Sequence, residues 1–348
     1  MPPTPRPTLH TLNGMRGIAA FAVVALHYSQ PGWNLAPGGY LAVDLFFLLS
    51  GVVIAAAYDP RIAAGMTATE FMRVRLIRLY PMYLLGLIGC VALGSLAYAM
   101  TAPILGLQLL MLPAPPHHGD LSLYPAMQVA WSLLFELLVN LLFVTLHRWL
   151  TTPVLLITVA VAGIGLAFAA TAHGTIDGGY LWSSVHLGLL RVLFAFPLGV
   201  LVWRHRARLR LRLSPWLVLP LIPLACALEP EQRAIYELLI AILGWPLLVI
   251  GASNARAAWP WLDWLGRLSY PVYCLHIMFR SGTLAPHSVA GAWATAGAVL
   301  VMAWAAERFY DTPVRAWIAR RVPPARFSAT AAARDRYSPA HNLPKGHE

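Results

Sequence analysis

Lysine occurs once among 25 basic residues, cysteine three times in 348 positions, and only 11% of the chain is charged. The charge shortage excludes an ordinary water-soluble domain of this size, which needs a polar shell around its core. Cys90, Cys226 and Cys274 lie far apart inside apolar runs without CxxC spacing. They therefore supply neither a disulfide framework nor a thiolate metal site, and read as small core residues. No internal repeat of about 20–50 residues is present, which excludes a solenoid. The two halves also lack matching Gly/Pro-broken spans, which weakens a transporter reading.

What fills the chain is apolar: 59% of the residues are hydrophobic, in runs separated by arginine-bearing or Pro/Gly-rich breaks. Runs of about 18–20 residues cross a hydrocarbon layer of about 30 Å. Ten are expected, at 12–29, 40–58, 79–100, 129–147, 152–171, 184–203, 214–228, 232–251, 262–282 and 288–308. The first run is kept as a span because it carries His27 near its far end and has no small-residue cleavage pattern.

The formal charge of +11 does not gather on one face, so nucleic acid is not an expected partner. Arg61, Arg73, Arg75, Arg78, Arg148 and the run Arg204 to Arg212 fall in alternate breaks. The remaining loops carry Asp120, Asp177, Glu229 and Glu231. By the positive-inside rule this predicts an all-α, polytopic transmembrane bundle with both termini cytoplasmic. The expected organisation is a membrane domain over 1–318 and a disordered basic tail over 319–348.

Ionisable side chains within membrane spans are costly and mark function. Arg16 and His27 share the first run, about 16 Å apart along a helix. Asp44 and Glu136 sit about one turn into their runs from the outer side, and Arg191 about two turns. Each has a structural alternative: His27 as a core histidine bonded to a carbonyl, Asp44 or Glu136 as partners of Arg191 in a buried ion pair. Arg73, Arg75 and Arg78 could be simple topology anchors, Trp131 an interfacial belt residue, and His276 a core histidine.

The order of motifs resembles the bacterial membrane-bound acyltransferase family three, whose members O-acylate surface polysaccharides and related acceptors. Leu12-Asn13-Gly14-Met15-Arg16-Gly17 is similar to the family's L-D-G-L-R-G start, with Asn13 replacing Asp, and His27 follows at the place of its first-span histidine. Gly39 to Gly51 resembles G-x-x-G-V-D-x-F-F-x-L-S-G. Arg75-Leu76-Ile77-Arg78 resembles R-x-x-R, and Trp131-Ser132-Leu133-Leu134-Phe135-Glu136 resembles W-S-L-x-x-E. Arg191 with Phe196 to Gly199, and Leu265 to His276, match two later spans, while Asp311-Thr312-Pro313 departs from the family's E-x-P.

The resemblance implies an acyltransferase of the inner membrane, with acyl-CoA, commonly acetyl-CoA, as cytoplasmic donor and an extracytoplasmic carbohydrate or glycosylated hydroxyl as acceptor. Arg16, Arg73, Arg75 and Arg78 are the expected donor-binding residues. His27 is the expected general base or acyl carrier, oriented by Asp44 or Glu136. Trp131, Ser132 and Arg191 are the expected acceptor or oxyanion contacts. Membrane lipid is a partner, no metal is expected, and homo-oligomerisation is left open. A transporter or flippase of an amphipathic solute, using the same charges as a proton relay, is the alternative.

Overall fold

The computed structural model describes residues 9–93, 101–116, 119–255, 259–282 and 284–321. The expected tail beyond 321 lies outside the described residues. Helices dominate, and no strand forms among the described residues. In chain order they are α1 (His10–His27), α2 (Leu41–Ala63), α3 (Ala68–Ala92), α4 (Ala102–Leu109), α5 (Ala130–Leu146), α6 (Thr152–His173) and α7 (Val185–His205). There follow α8 (Pro215–Ala227), α9 (Arg233–Leu239), α10 (Trp245–Ser253), α11 (Pro260–Leu275), α12 (Val289–Ala306) and α13 (Thr312–Arg321). A π turn joins α9 to α10 and another joins α12 to α13.

Every expected apolar run overlaps a helix, but among the described residues six helical stretches are long and apolar enough to cross a membrane: Leu41–Ala63, Ala68–Ala92, Thr152–His173, Trp182–His205, Arg233–Ser253 and Val289–Arg321. The others fall short for identifiable reasons. Helix α1 carries Asn13, Arg16 and His27, α11 has 16 residues and carries Asp263 and Arg267, and α5 and α8 are shorter than a full crossing. The polar ones are interior helices. Helix α1 packs along α11, and also touches α8 and α2, so its polar groups meet protein rather than lipid. By contrast α6 exposes Ile157, Ile164 and Phe168, as a lipid-facing helix does.

One boundary differs in a way that moves the site. Helix α3 begins at Ala68, well before the expected start at 79, because Thr67 and Glu70 form a capping box. Arg73, Arg75 and Arg78 therefore ride on the helix instead of preceding it. Seven residues of helix, about 10 Å, carry Arg75 into the bundle.

Close crossings set the register of the two central pairs. A Cβ on Gly51 would stand 2.1 Å from the carbonyl oxygen of Phe196, and one on Gly199 2.1 Å from that of Leu48. Helices α2 and α7 thus meet backbone to backbone, as small residues allow in membranes. Helix α1 meets α11 similarly, with Gly17 against Leu265 and Gly266 against Asn13. There Asn13 Nδ2 donates to Asp263 Oδ1 at 2.8 Å, and His10 holds the other carboxylate oxygen. An amide at 13 can donate to that carboxylate, which an ionised Asp could not.

Candidate active site

The last turn of α1 delivers His27 to a cavity of about 300 Å³. His27 Nδ1 lies 3.0 Å from the Val23 carbonyl oxygen and 3.1 Å from His276 Nε2. His276 is fully buried, and its Nδ1 lies 3.1 Å from the Val272 carbonyl oxygen. A carbonyl only accepts, so His276 carries its proton on Nδ1 and turns a bare Nε2 to His27. His27 in turn carries its proton on Nδ1, shared between Val23 and His276. The nitrogen left for the cavity is an unprotonated Nε2, the form a base or a nucleophile requires.

Neither expected carboxylate orients His27. Asp44 is engaged by Arg191, whose Nε donates to Oδ1 at 2.8 Å and whose Nη2 donates to Oδ2 at 3.0 Å. Two further donations, Nη1 to the Gly178 carbonyl and Nη2 to the Tyr40 carbonyl, complete a fully buried guanidinium. The ion pair raised as an alternative for Asp44 is thus present, while the partner of His27 is His276. Nothing in the sequence spacing marks that contact, which joins residues 249 positions apart.

Glu136 is held away from His27, five residues beyond Trp131 on α5, about 7.5 Å along the helix. There it accepts from Ser50 Oγ at 3.2 Å and pairs with Arg75. A second, smaller cavity of about 40 Å³ is lined by Arg16, Ser50, Glu136 and Tyr270. Arg78 lies within electrostatic reach of Arg16, Arg75 and Arg315. The Nε atoms of Arg16 and Arg75 are buried without a hydrogen-bond partner. Guanidinium donors left open beside a cavity suit an anionic ligand. Arg16 itself lines this cavity, whereas Arg73, Arg75 and Arg78, all on α3, line neither cavity.

Val43 and Tyr273 line both cavities, so one wall separates them. The Tyr273 hydroxyl is 2.7 Å from Ser132 Oγ and 3.1 Å from the Val129 carbonyl oxygen. Trp131 is buried in the larger cavity instead of lying in an interfacial belt. Phe47 and Phe135 meet its ring edge-on, and the Arg191 guanidinium lies 5.4 Å from its centroid. Of the expected site residues, His27 and Trp131 line the larger cavity and Arg16, Ser132 and Glu136 line the smaller one, whereas Asp44 and Arg191 lie behind the first and Arg75 behind the second.

Sequence reasoning passed over several residues that the fold adds to the larger cavity. Asp177 and Tyr180 come from the loop before α7, and Gln128 and Arg280 from segments beside it. Arg280 donates to the Gln128 side-chain oxygen. Asp177 stood in the sequence only as an acid in an outer loop. Burial pushes its carboxyl above the ordinary carboxylate range, with Arg191 and Arg233 opposing that shift.

A helical membrane protein with a bare imidazole nitrogen facing a polar cavity is suited to group transfer. The acyltransferase domain of family three matches residues 9–307, and the chain belongs to that family of membrane acyltransferases. It is also similar to "Protein 2 in picA locus" of Rhizobium radiobacter, at 34% identity over 180 residues, which cover 46% of this chain and 93% of that protein. No solved structure matches it.

Proposed function

We propose that the chain transfers an acyl group, with acetyl the expected one, from cytoplasmic acyl-CoA to a hydroxyl of an extracytoplasmic carbohydrate or glycosylated acceptor. The bacterial inner membrane, ten crossings and cytoplasmic termini belong to this reading. The observation that carries it is the bare Nε2 of His27, held at a cavity that adjoins a second one lined by Arg16, whose Nε has no hydrogen-bond partner.

Arg16, Arg75 and Arg78 would bind the phosphates of the donor from the arginine-rich end, with Arg73 adding positive charge nearby. In direct transfer, His27 Nε2 takes the acceptor's hydroxyl proton as its oxygen attacks the thioester carbonyl. The C–S bond then breaks, the coenzyme thiolate leaves, and the proton passes from His27 to that sulfur. If His27 is instead an acyl carrier, Nε2 itself displaces the thiolate, and the acceptor oxygen later displaces the imidazole while its proton passes to the released thiolate. Both routes need Nε2 unprotonated. Trp131 would contact the acceptor, Ser132 would act on the site through the Tyr273 hydroxyl, and Arg191 supports the site through Asp44 and the loop before α7.

The test is transfer of label from acyl-labelled coenzyme A to envelope carbohydrate in inverted vesicles, comparing the wild type with His27→Ala at matched expression. Loss of about 10²- to 10⁴-fold or more is expected for removal of a general base or nucleophile. Equal labelling by the two proteins would overturn the proposal.

A further inference from the structure

The acids and arginines at the His27 end of the bundle are mostly saturated. Asp44 is held twice by Arg191. Glu237, fully buried, accepts from Arg233 Nε at 2.7 Å, from Thr175 Oγ1 and from the Ile176 backbone N–H, and it also receives the Tyr40 hydroxyl. Asp177 is the exception. It lines the cavity that holds His27, yet its carboxylate makes no hydrogen bond or ion pair to a side chain among the described residues.

The loop around it is pinned on both sides. Before Asp177, Glu237 holds Thr175 and Ile176, and Thr175 Oγ1 accepts the Asp177 backbone N–H at 2.9 Å. After it, the Gly178 carbonyl accepts from Arg191, and the Gly179 N–H donates to Ser184 Oγ at 3.1 Å. Gly179 has φ +112°, and a Cβ there would stand 2.5 Å from the Trp131 ring, so the chain passes flat against the cavity's aromatic wall. Such support is what holds a binding group in place before its ligand arrives. An anionic carboxylate, which only accepts, is matched by a ligand that donates.

Resting on the acyltransfer reading, we propose that Asp177 is a specificity-determining acceptor-binding residue. Its carboxylate accepts hydrogen bonds from acceptor hydroxyls next to the one that reaches His27. The acceptor class it selects is a polyol ring, such as a glycosyl unit, over an alcohol with a single hydroxyl. Trp131 and Tyr180 offer aromatic surface in the same cavity, and Gln128 and Arg280 close its rim.

The experiment uses the full chain in lipid nanodiscs with labelled acetyl-CoA and two acceptors of similar ring size, a methyl hexopyranoside and cyclohexylmethanol. The readout is the ratio of kcat/KM for the glycoside to that for the single alcohol, in the wild type, Asp177→Asn and, as a control, Glu231→Gln. A lost hydrogen bond to a charged group lowers the ratio by about ten- to hundredfold in Asp177→Asn. The exposed Glu231 lines no part of this cavity, so its variant keeps the wild-type ratio. A ratio in Asp177→Asn within twofold of the wild type, an equal fall in Glu231→Gln, or failure of Asp177→Asn to fold would each overturn the inference. Absence of transfer to either acceptor by the wild type would instead overturn the acyltransfer reading and remove the inference with it.

Discussion

Replacing His276 by Phe separates a positioning role from a reacting one. The substitution keeps an aromatic ring in a fully buried site and removes both ring nitrogens. Nothing is orphaned by the loss of Nδ1–H, because the Val272 carbonyl also accepts the His276 backbone N–H. His27 Nδ1–H keeps the Val23 carbonyl at 3.0 Å and loses His276 Nε2 at 3.1 Å. The tautomer therefore survives with one of its two supports. One neutral hydrogen bond contributes about 0.5–1.5 kcal/mol, which corresponds to a fall of about two- to twelvefold in kcat. Donor KM should not change, since His276 does not line the arginine-bearing cavity. The assay is steady-state transfer from labelled acyl-CoA by the purified protein in nanodiscs. Loss as complete as that of His27→Ala would refute the reasoning, because His276 would then be handling the proton or the acyl group itself. No loss at all would refute it from the other side.

Two further outcomes follow from pairs already described. Arg75→Ala leaves Glu136 without its cation in the bundle, so thermal stability should fall by about 3–5 kcal/mol, and the double variant Arg75→Ala/Glu136→Ala should recover most of that loss while donor KM stays raised; recovery of donor KM together with stability would show that Arg75 serves only the fold. Because burial raises the Asp177 pKa, its carboxylate becomes neutral at a higher pH than an ordinary one. As pH falls through that raised value the acceptor is lost as a hydrogen-bond partner, so glycoside KM should climb on the acid side, and Asp177→Asn should flatten that limb. An identical acid limb in the variant would assign the titration elsewhere. The sign for stability is the opposite: the neutral form is favoured in the fold, so this group adds stability at low pH and withdraws it as pH rises through the raised value.

Much of the helical architecture was legible because a buried or lipid-facing helix needs a long apolar run, and the runs are long. Less legible were helices whose polar residues hide their role. The apolar criterion cut α3 at 79, although Thr67 and Glu70 are a readable capping signal three residues apart. Asp44 and Arg191 could be paired on charge alone, but the pairing of Glu136 with Arg75 could not, since the place of Arg75 depends on where α3 begins. His276 was read as core and is core in burial, yet its Nε2 faces His27 through a fold-made contact that no spacing announces. Asp177 and Arg280 lie beyond helix ends, where the sequence offers only a charge and no periodicity. Arg280 also breaks the charge asymmetry that the span boundaries implied, because it stands at the Gln128 rim beside the His27 cavity.

The shared wall of Val43 and Tyr273 has a consequence for the membrane itself. With the two cavities reaching toward opposite faces, as the proposed topology has them, the electrical insulation along this line is reduced to a phenol ring and a valine side chain. The transmembrane potential would then drop mostly across that short distance, where about 2.3 kcal/mol acts on each elementary charge per 100 mV. The hydrogen bonds of the Tyr273 hydroxyl to Ser132 and Val129 hold its ring in that wall. An enzyme built this way has to open its thinnest point to the passing substrate while keeping ions out.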